Sequence, residues 1–427
     1  MHLIRTDQRS FDETAQAVDL EQSPADIVVL SFADSDLSLL AQAHDEARHP
    51  SLRLAALGQL KHPFSVDLHI EKVCARSKFV LVRLLGGLDY WRYGVEELAN
   101  AARKYGFQLA VIPGDCMEDE RLDRASTLPV ADLRQIWAYF RESGPENIAA
   151  CLDFIANRIS GAGDAPPPQA VPSFGAFKPA CLPAVQGAAT AFILFYRSAY
   201  LACDCAPVTA LAAALARENF RVRCFYVSSL KDGSACAPLA KQIAAEKPDV
   251  ILNATAFSAR LDGGGGVLDG ADAPVLQVIF SGAGVEQWRE AQRGLSAADL
   301  AMNVVLPEVD GRIVSRAISF KRAQDKDESL EFSPSRHEPE ESRVNFVAAL
   351  AAGWARLRRK SNKAKKLALI LSDYPAKGGR AGYAVGLDTS QSTAAILSRL
   401  AAEGYDATEA PADLIEKLQS GPLVATV

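Results

Sequence analysis

Short apolar runs recur along this chain, each closed by a polar or glycine-rich stretch and followed by a segment with helical spacing. The first three are Ile27–Phe32 (IVVLSF), Lys78–Leu85 (KFVLVRLL) and Leu109–Ile112. Four more come later: Phe192–Tyr196 (FILFY), Arg221–Val227 (RVRCFYV), Asp249–Asn253 (DVILN) and Val275–Ile279. Runs this short, rich in β-branched and aromatic residues, make strands buried on both faces. Strands separated by helices need crossover connections, and crossovers make them parallel. The pattern therefore predicts an α/β chain with two or more doubly wound, Rossmann-like parallel-sheet domains and the start of a further α/β domain.

The punctuation divides the chain. Residues 1–160 read as a first α/β domain, with helices over Tyr93–Tyr105, Ala131–Phe140 and Glu146–Ile159. Residues 161–190 contain Pro166, Pro167 and Pro168 in a row, which forbids helix and favours an extended linker. Residues 191–330 form a second α/β domain whose long loop carries Gly263–Gly266. In residues 331–427, a helix over Ser342–Arg359 places Val344, Phe346, Val347, Leu350, Trp354 and Leu357 at helical spacing. A third, truncated α/β region follows it. The charged stretch Lys321–Glu341 reads as an exposed connection or hairpin.

Charge and composition exclude several functions. The 427 residues carry a net charge of −6, with no basic face suited to nucleic acid. No apolar run approaches the ~20 residues needed to span a bilayer. The N-terminus MHLIRTDQRSFDETAQAV has neither the apolar core of a signal peptide nor the composition of a transit peptide, which predicts a cytoplasmic protein. The eight Cys form no C-x-x-C pair, so reduced thiols are expected, with Cys203 and Cys205 too isolated to suggest a metal site. Six His are scattered and five precede residue 70.

The stretch Leu367–Thr393, LALILSDYPAKGGRAGYAVGLDTSQST, reads as strand, glycine-rich loop and helix. Such a loop aims backbone N–H groups at the sheet edge, and Asp388 or Thr389 suits the helix N-cap. It contains neither G-x-x-x-x-G-K-[ST] nor G-x-G-x-x-G, so no nucleotide site is indicated. In LPEVDGRI, Glu308 and Asp310 are either a metal or base pair, or a surface turn in which Arg312 neutralises a carboxylate. In GGLDYWRYG, the aromatics Tyr90, Trp91 and Tyr93 either stack on a flat ligand or staple a helix to the core.

The string DYPAKGGRAGYAVGLDTSQST resembles a segment of the large subunit of cobaltochelatase, CobN, and more distantly the H subunit of magnesium chelatase. The family pattern is matched at Tyr374, Pro375, Arg380, Gly382, Val385, Gly386, Leu387, Asp388 and Ser392, with Asp373 in place of Asn and Ser390 in place of Pro. FYRSAYLACDCAPVTALAAAL, DVILNATAFSA, APVLQVIFSG and GLSAADLAMNVVLPEVDGRIVSRAISFK are similar to family segments in the same order. The family usually carries Gly near Cys203. The resemblance covers this whole chain and a minority of a family member, so the chain is expected to be an N-terminal portion with the catalytic residues beyond residue 427. It implies binding of the corrin hydrogenobyrinic acid a,c-diamide, with Co²⁺ as substrate and Mg-ATP hydrolysed on AAA+ ATPase partner subunits. Neither nucleic acid nor membrane is implied as a partner. Candidate substrate contacts are Asn253, Thr255, Tyr374, Arg380 and Asp388, with Glu308 and Asp310 as candidate metal or base groups. Two rivals stand beside this reading. One is a non-catalytic α/β scaffold that docks the ATPase subunits, and the other a magnesium-chelatase-like porphyrin-binding subunit.

Overall fold

The computed structural model describes residues 17–420 apart from 116, 162, 164, 181, 183–188, 262, 372–381, 384, 409, 411 and 412. The chain divides into a unit ending at Ala351 and another starting at Ala352.

The first unit holds two sheets. In the first, β1 (Ile27–Ser31), β2 (Leu52–Ala56), β3 (Phe79–Leu84) and β4 (Gln108–Pro113) lie in the order β2-β1-β3-β4, and every pair is parallel. Alternate residues of β1 serve opposite faces, as the pleat requires. Ile27 and Val29 pack with Leu37, Ile136 and Ile148 from helices α1 (Asp34–Ala43), α5 (Val130–Glu142) and α6 (Pro145–Ser160). Val28 and Leu30 pack with Val66, Val95 and Leu98 from α2 (Pro63–Lys72) and α3 (Arg92–Tyr105). A short helix α4 (Glu120–Ala125) follows β4. Strand β2, LRLAA, was not among the runs singled out above, because Arg53 interrupts it and no β-branched residue marks it. Its arginine is nonetheless only 8% exposed.

The second sheet has seven strands in the order β11-β10-β9-β8-β6-β7-β5. Its parallel core is β6 (Ala189–Tyr196), β7 (Phe220–Val227), β8 (Val250–Asn253), β9 (Val275–Phe280) and β10 (Ile313–Ala323). Antiparallel strands close both edges: β5 (Phe174–Phe177) on β7 and β11 (Ser335–Pro339) on β10. Thus the proline-rich stretch supplies an edge strand, and the charged segment Lys321–Glu341 is a hairpin. Helices α7 (Arg197–Leu201), α8 (Ala206–Arg217) and α9 (Gly233–Glu246) connect the strands. Leu239 and Ile243 of α9 cover Phe192, Leu194, Phe225 and Val227. Past β9 come α10 (Val285–Glu290) and α11 (Ala297–Leu300), and α11 runs through a π turn into α12 (Leu306–Glu308).

Both parallel cores reverse direction beside their first strand, between β1 and β3 and between β6 and β8. Open α/β sheets bind ligands at such switch points, outside the carboxyl ends of the strands.

Helix α13 (Glu341–Arg359) leads from β11 into the second unit, which contains α14 (Thr389–Ala402) and α15 (Leu414–Ser420). The strand expected over Leu367–Leu371 is not formed. Leu367, Leu369 and Ile370 are 57, 47 and 87% exposed. Among the described residues no strand follows β11, so this run has no ladder to join, and a lone strand leaves its backbone groups unpaired. No helix among the described residues is long and apolar enough to cross a membrane.

Candidate functional site: a cleft between two strand rims

The carboxyl ends of the first sheet are fixed by a buried ion pair at its switch point. Arg83, on β3, pairs with Asp36 at the start of α1, and both side chains are at most 6% exposed. Ser31 Oγ donates to the same carboxylate at 2.8 Å, and Arg83 Nη2 donates to the Gly114 carbonyl at 3.1 Å. The guanidinium carbon lies 5.2 Å from the centre of the Phe140 ring. One arginine thus ties together the loops after β1, β3 and β4.

The hairpin of the second sheet reaches across to the first. Leu330, at its tip, is 2% exposed and belongs to the apolar cluster of the first sheet. Beside it, the Glu331 carboxylate accepts from Ser23 N at 2.7 Å, Ser23 Oγ at 2.6 Å and Arg53 Nη2 at 3.1 Å. Arg53 also donates to the Ser329 carbonyl at 2.6 Å and the Ser23 carbonyl at 3.0 Å. Burial works to raise the Glu331 carboxyl, but the Ser23 bonds and the charges of Arg53 and Lys326 outweigh it and hold it below the usual range.

With the hairpin latched this way, a cleft of about 680 Å³ lies between the rims of the two sheets. From the first sheet come Phe32 after β1, Gly58 and Lys61 after β2, and Tyr90 after β3; from the second come Gly284 after β9 and the hairpin residues Lys321, Lys326 and Phe332. The Phe32 and Tyr90 rings meet edge to face, with centres 5.0 Å apart. His62, also in the wall, accepts from Phe64 N–H through Nδ1 at 3.1 Å.

The loop GGLDYWRYG divides its aromatics between two tasks. Trp91 is a staple: 6% exposed, its Nε1 donating to the Leu60 carbonyl at 2.7 Å. Gly94 lies so close to it that a Cβ there would fall 2.2 Å from the indole. Tyr90, 42% exposed, is left facing the cleft, and Tyr93 donates its hydroxyl to Asp67 at 2.8 Å.

Asn253 and Thr255, at the end of β8, are buried in a network of their own. Asn253 Nδ2 donates to Gln277 Oε1 at 3.0 Å and to the Thr255 carbonyl at 3.1 Å, while Thr255 Oγ1 donates to Asn253 Oδ1 at 2.9 Å. Arg312 donates to Gln277 Oε1 and to Asp310 Oδ2, each at 2.9 Å. Asp310 also accepts from Ala259 N at 2.6 Å and from Ser258 Oγ. The hydrogen bonds of Asn253, Thr255 and Asp310 are therefore made to one another's loops. Glu308 lies on the exposed surface, away from this network. Burial pushes the Arg312 guanidinium down and the nearby Tyr196 phenol up to about 12, which leaves the phenol protonated near neutrality. A second cleft of about 480 Å³ borders Asp310 and Arg312.

The remaining candidates lie elsewhere. Asp388 caps α14, accepting from Gln391 N at 2.9 Å. Tyr374 and Arg380 lie outside the described residues. Cys203 adopts φ +53°, a left-handed conformation that favours Gly. Burial raises the Cys205 thiol to about 12, which leaves it protonated. Among the described residues, no three His, Cys, Asp or Glu side chains gather as a metal site would require.

Sequence reasoning missed Lys61, Lys326 and Phe332. Lys61 follows the unrecognised strand β2, and no periodicity shows that a hairpin will cross to another sheet.

Two doubly wound sheets with their carboxyl rims bordering a common cleft define the class as a two-sheet α/β protein. The particular family follows from comparison: the CobN/Magnesium Chelatase family model matches residues 137–424, and the chain belongs to that family. It is 41% identical to the aerobic cobaltochelatase subunit CobN of a Sinorhizobium species, over 99% of this chain and 35% of that protein. The subunit of the same description from Pseudomonas aeruginosa is 36% identical over the same shares. The solved catalytic subunit of cobaltochelatase from Mycobacterium tuberculosis superposes with a TM-score of 0.62 at 25% identity, covering 92% of this chain and 32% of that one. The chain thus spans about a third of the length of these chelatase relatives.

Proposed function

We propose that this chain is the part of an aerobic cobaltochelatase that encloses the metal-free corrin, hydrogenobyrinic acid a,c-diamide, while Co²⁺ is inserted during cobalamin synthesis. The observation that carries this reading is the cleft between the two strand rims. It is lined in part by Phe32, Tyr90 and Phe332, and its volume of about 680 Å³ falls in the range of small-molecule sites. Cobalt is preferred to magnesium because the relatives matched over nearly the whole chain are cobaltochelatase subunits.

Insertion requires the ring nitrogens to lose protons as the hydrated metal sheds water, so a base and metal-binding side chains must converge on the ring. The cleft residues named here suit holding and orienting the ring. In this reading the base and metal ligands come from polypeptide outside the described residues, and AAA+ ATPase partners supply the coupling to Mg-ATP.

Titration with a metal-free corrin or porphyrin, followed by tryptophan fluorescence, tests the reading. Saturable quenching is expected, because Trp91 is the chain neighbour of Tyr90, which lines the cleft. Absence of quenching, with the ATPase partners still captured by the chain, would replace this function with that of a docking scaffold.

A further inference from the structure

Three carboxylates, Asp19, Asp34 and Glu331, and three lysines, Lys61, Lys321 and Lys326, line the cleft. Asp19 pairs with Lys72, and the Asp19 carboxyl is held below its usual range mainly by that bond. Glu331 is held by Arg53 and Ser23, Lys321 pairs with Asp204 at 3.2 Å, and Asp34 also has a partner. That leaves Lys61, and also Lys326, whose charge acts on Glu331 without bonding to it. Both are exposed, both line the cleft, and neither has an ion pair or hydrogen bond among the described residues.

The two lysines stand on different walls. Lys61 follows β2 in the first sheet, whereas Lys326 lies in the hairpin of the second. Phe32, Tyr90 and Phe332 line the same cleft. A ligand that satisfies both must carry anions at separate edges of a broad apolar body. A nucleotide, with its phosphates at one end, would engage only one wall. A flat ring with carboxylates around its rim engages both.

We infer that Lys61 and Lys326 recognise peripheral carboxylates of the ring, making the cleft selective for anionic over neutral tetrapyrroles. This rests on the ring-enclosing function above and names the groups that set its specificity. Lysine acts here as a mobile point charge, suited to carboxylates on flexible arms rather than to a rigid bidentate contact.

The test compares two metal-free, water-soluble porphyrins, one with four carboxylate arms and one with four uncharged arms, by fluorescence titration of the whole chain. Wild type is expected to prefer the carboxylated ring, and the preference should shrink as salt rises. Lys61→Gln and Lys326→Gln should each weaken that ring by about two- to fivefold, and the double variant by on the order of tenfold. Binding of the uncharged ring should not change, and Lys61→Arg with Lys326→Arg should restore most of the preference. Both side chains are exposed, so the fold is expected to survive, and circular dichroism checks it. If the double variant binds the carboxylated ring as wild type does, or loses both rings equally, the inference is overturned while ring binding stands. If wild type binds neither ring, both are overturned.

Discussion

Truncating Leu330 to alanine tests whether the hairpin tip is a structural latch between the two sheets. Leu330 belongs by chain to the second sheet and by packing to the first, where it is 2% exposed among the α1, α5 and α6 side chains. Cutting a fully buried leucine to alanine costs about 2–5 kcal/mol, the lower end applying where the surroundings can collapse. A hairpin tip can settle inward, so about 2–3 kcal/mol is expected here. For a folded unit this large, at ~2 °C per kcal/mol, the melting temperature should fall by about 4–6 °C. The more direct assay is limited proteolysis. Trypsin cleaves after lysine, and Lys326 sits four residues before the latch. Leu330→Ala should speed cleavage at Lys326 by at least tenfold, because opening of the tip no longer has to withdraw a leucine from the other core. If cleavage at Lys326 is unchanged and the melting temperature moves by less than about 1 °C, the side chain bears no such load.

Three further outcomes follow from the geometry. Arg312→Met should destabilise the chain by about 3–5 kcal/mol in urea unfolding, because Asp310 and the Thr255 carbonyl lose a buried partner; Glu308→Gln, on the surface, should stay within about 0.5 kcal/mol. Gly94→Ala would place a Cβ against the Trp91 ring, and overpacking should cost about 1–3 kcal/mol and shift tryptophan emission. Stability should also fall between pH 6.5 and 4. Burial holds the imidazoles of His337 at about 3 and His69 at about 4, so in that window the unfolded chain binds protons that the folded chain refuses. Each group would cost about 1–2 kcal/mol by pH 5, measured as the urea midpoint against pH, and a flat profile would contradict the burial of both rings.

The α/β class, the family and most of the strands could be read from the sequence because each rests on local pattern. IVVLSF and FILFY announce buried parallel strands, and helices α3, α5, α6 and α13 lie within one or two residues of their expected bounds. What was lost depended on partners distant in the chain. Strand β2 carries an arginine that is tolerable only because Ser23, Ser329 and Glu331 surround it. The apolar run Leu367–Leu371 has the composition of a strand but no neighbour among the described residues. Asn253 and Thr255 were candidates because they follow a strand, but not how completely Gln277 and Arg312 engage them. The cleft was the least legible feature, since its two walls come from loops more than 190 residues apart, and the hairpin that crosses between the sheets has no local signature.

That hairpin changes what can be cut from this polypeptide. Removing everything after the three prolines would seem to release a tidy four-stranded piece. Yet such a piece would lack Leu330 and the carboxylate that neutralises Arg53, leaving a hole in its interior and a stranded cation at its border. The half that precedes the prolines is completed only once residue 331 has been made, so a nascent chain would finish its first sheet after most of its second.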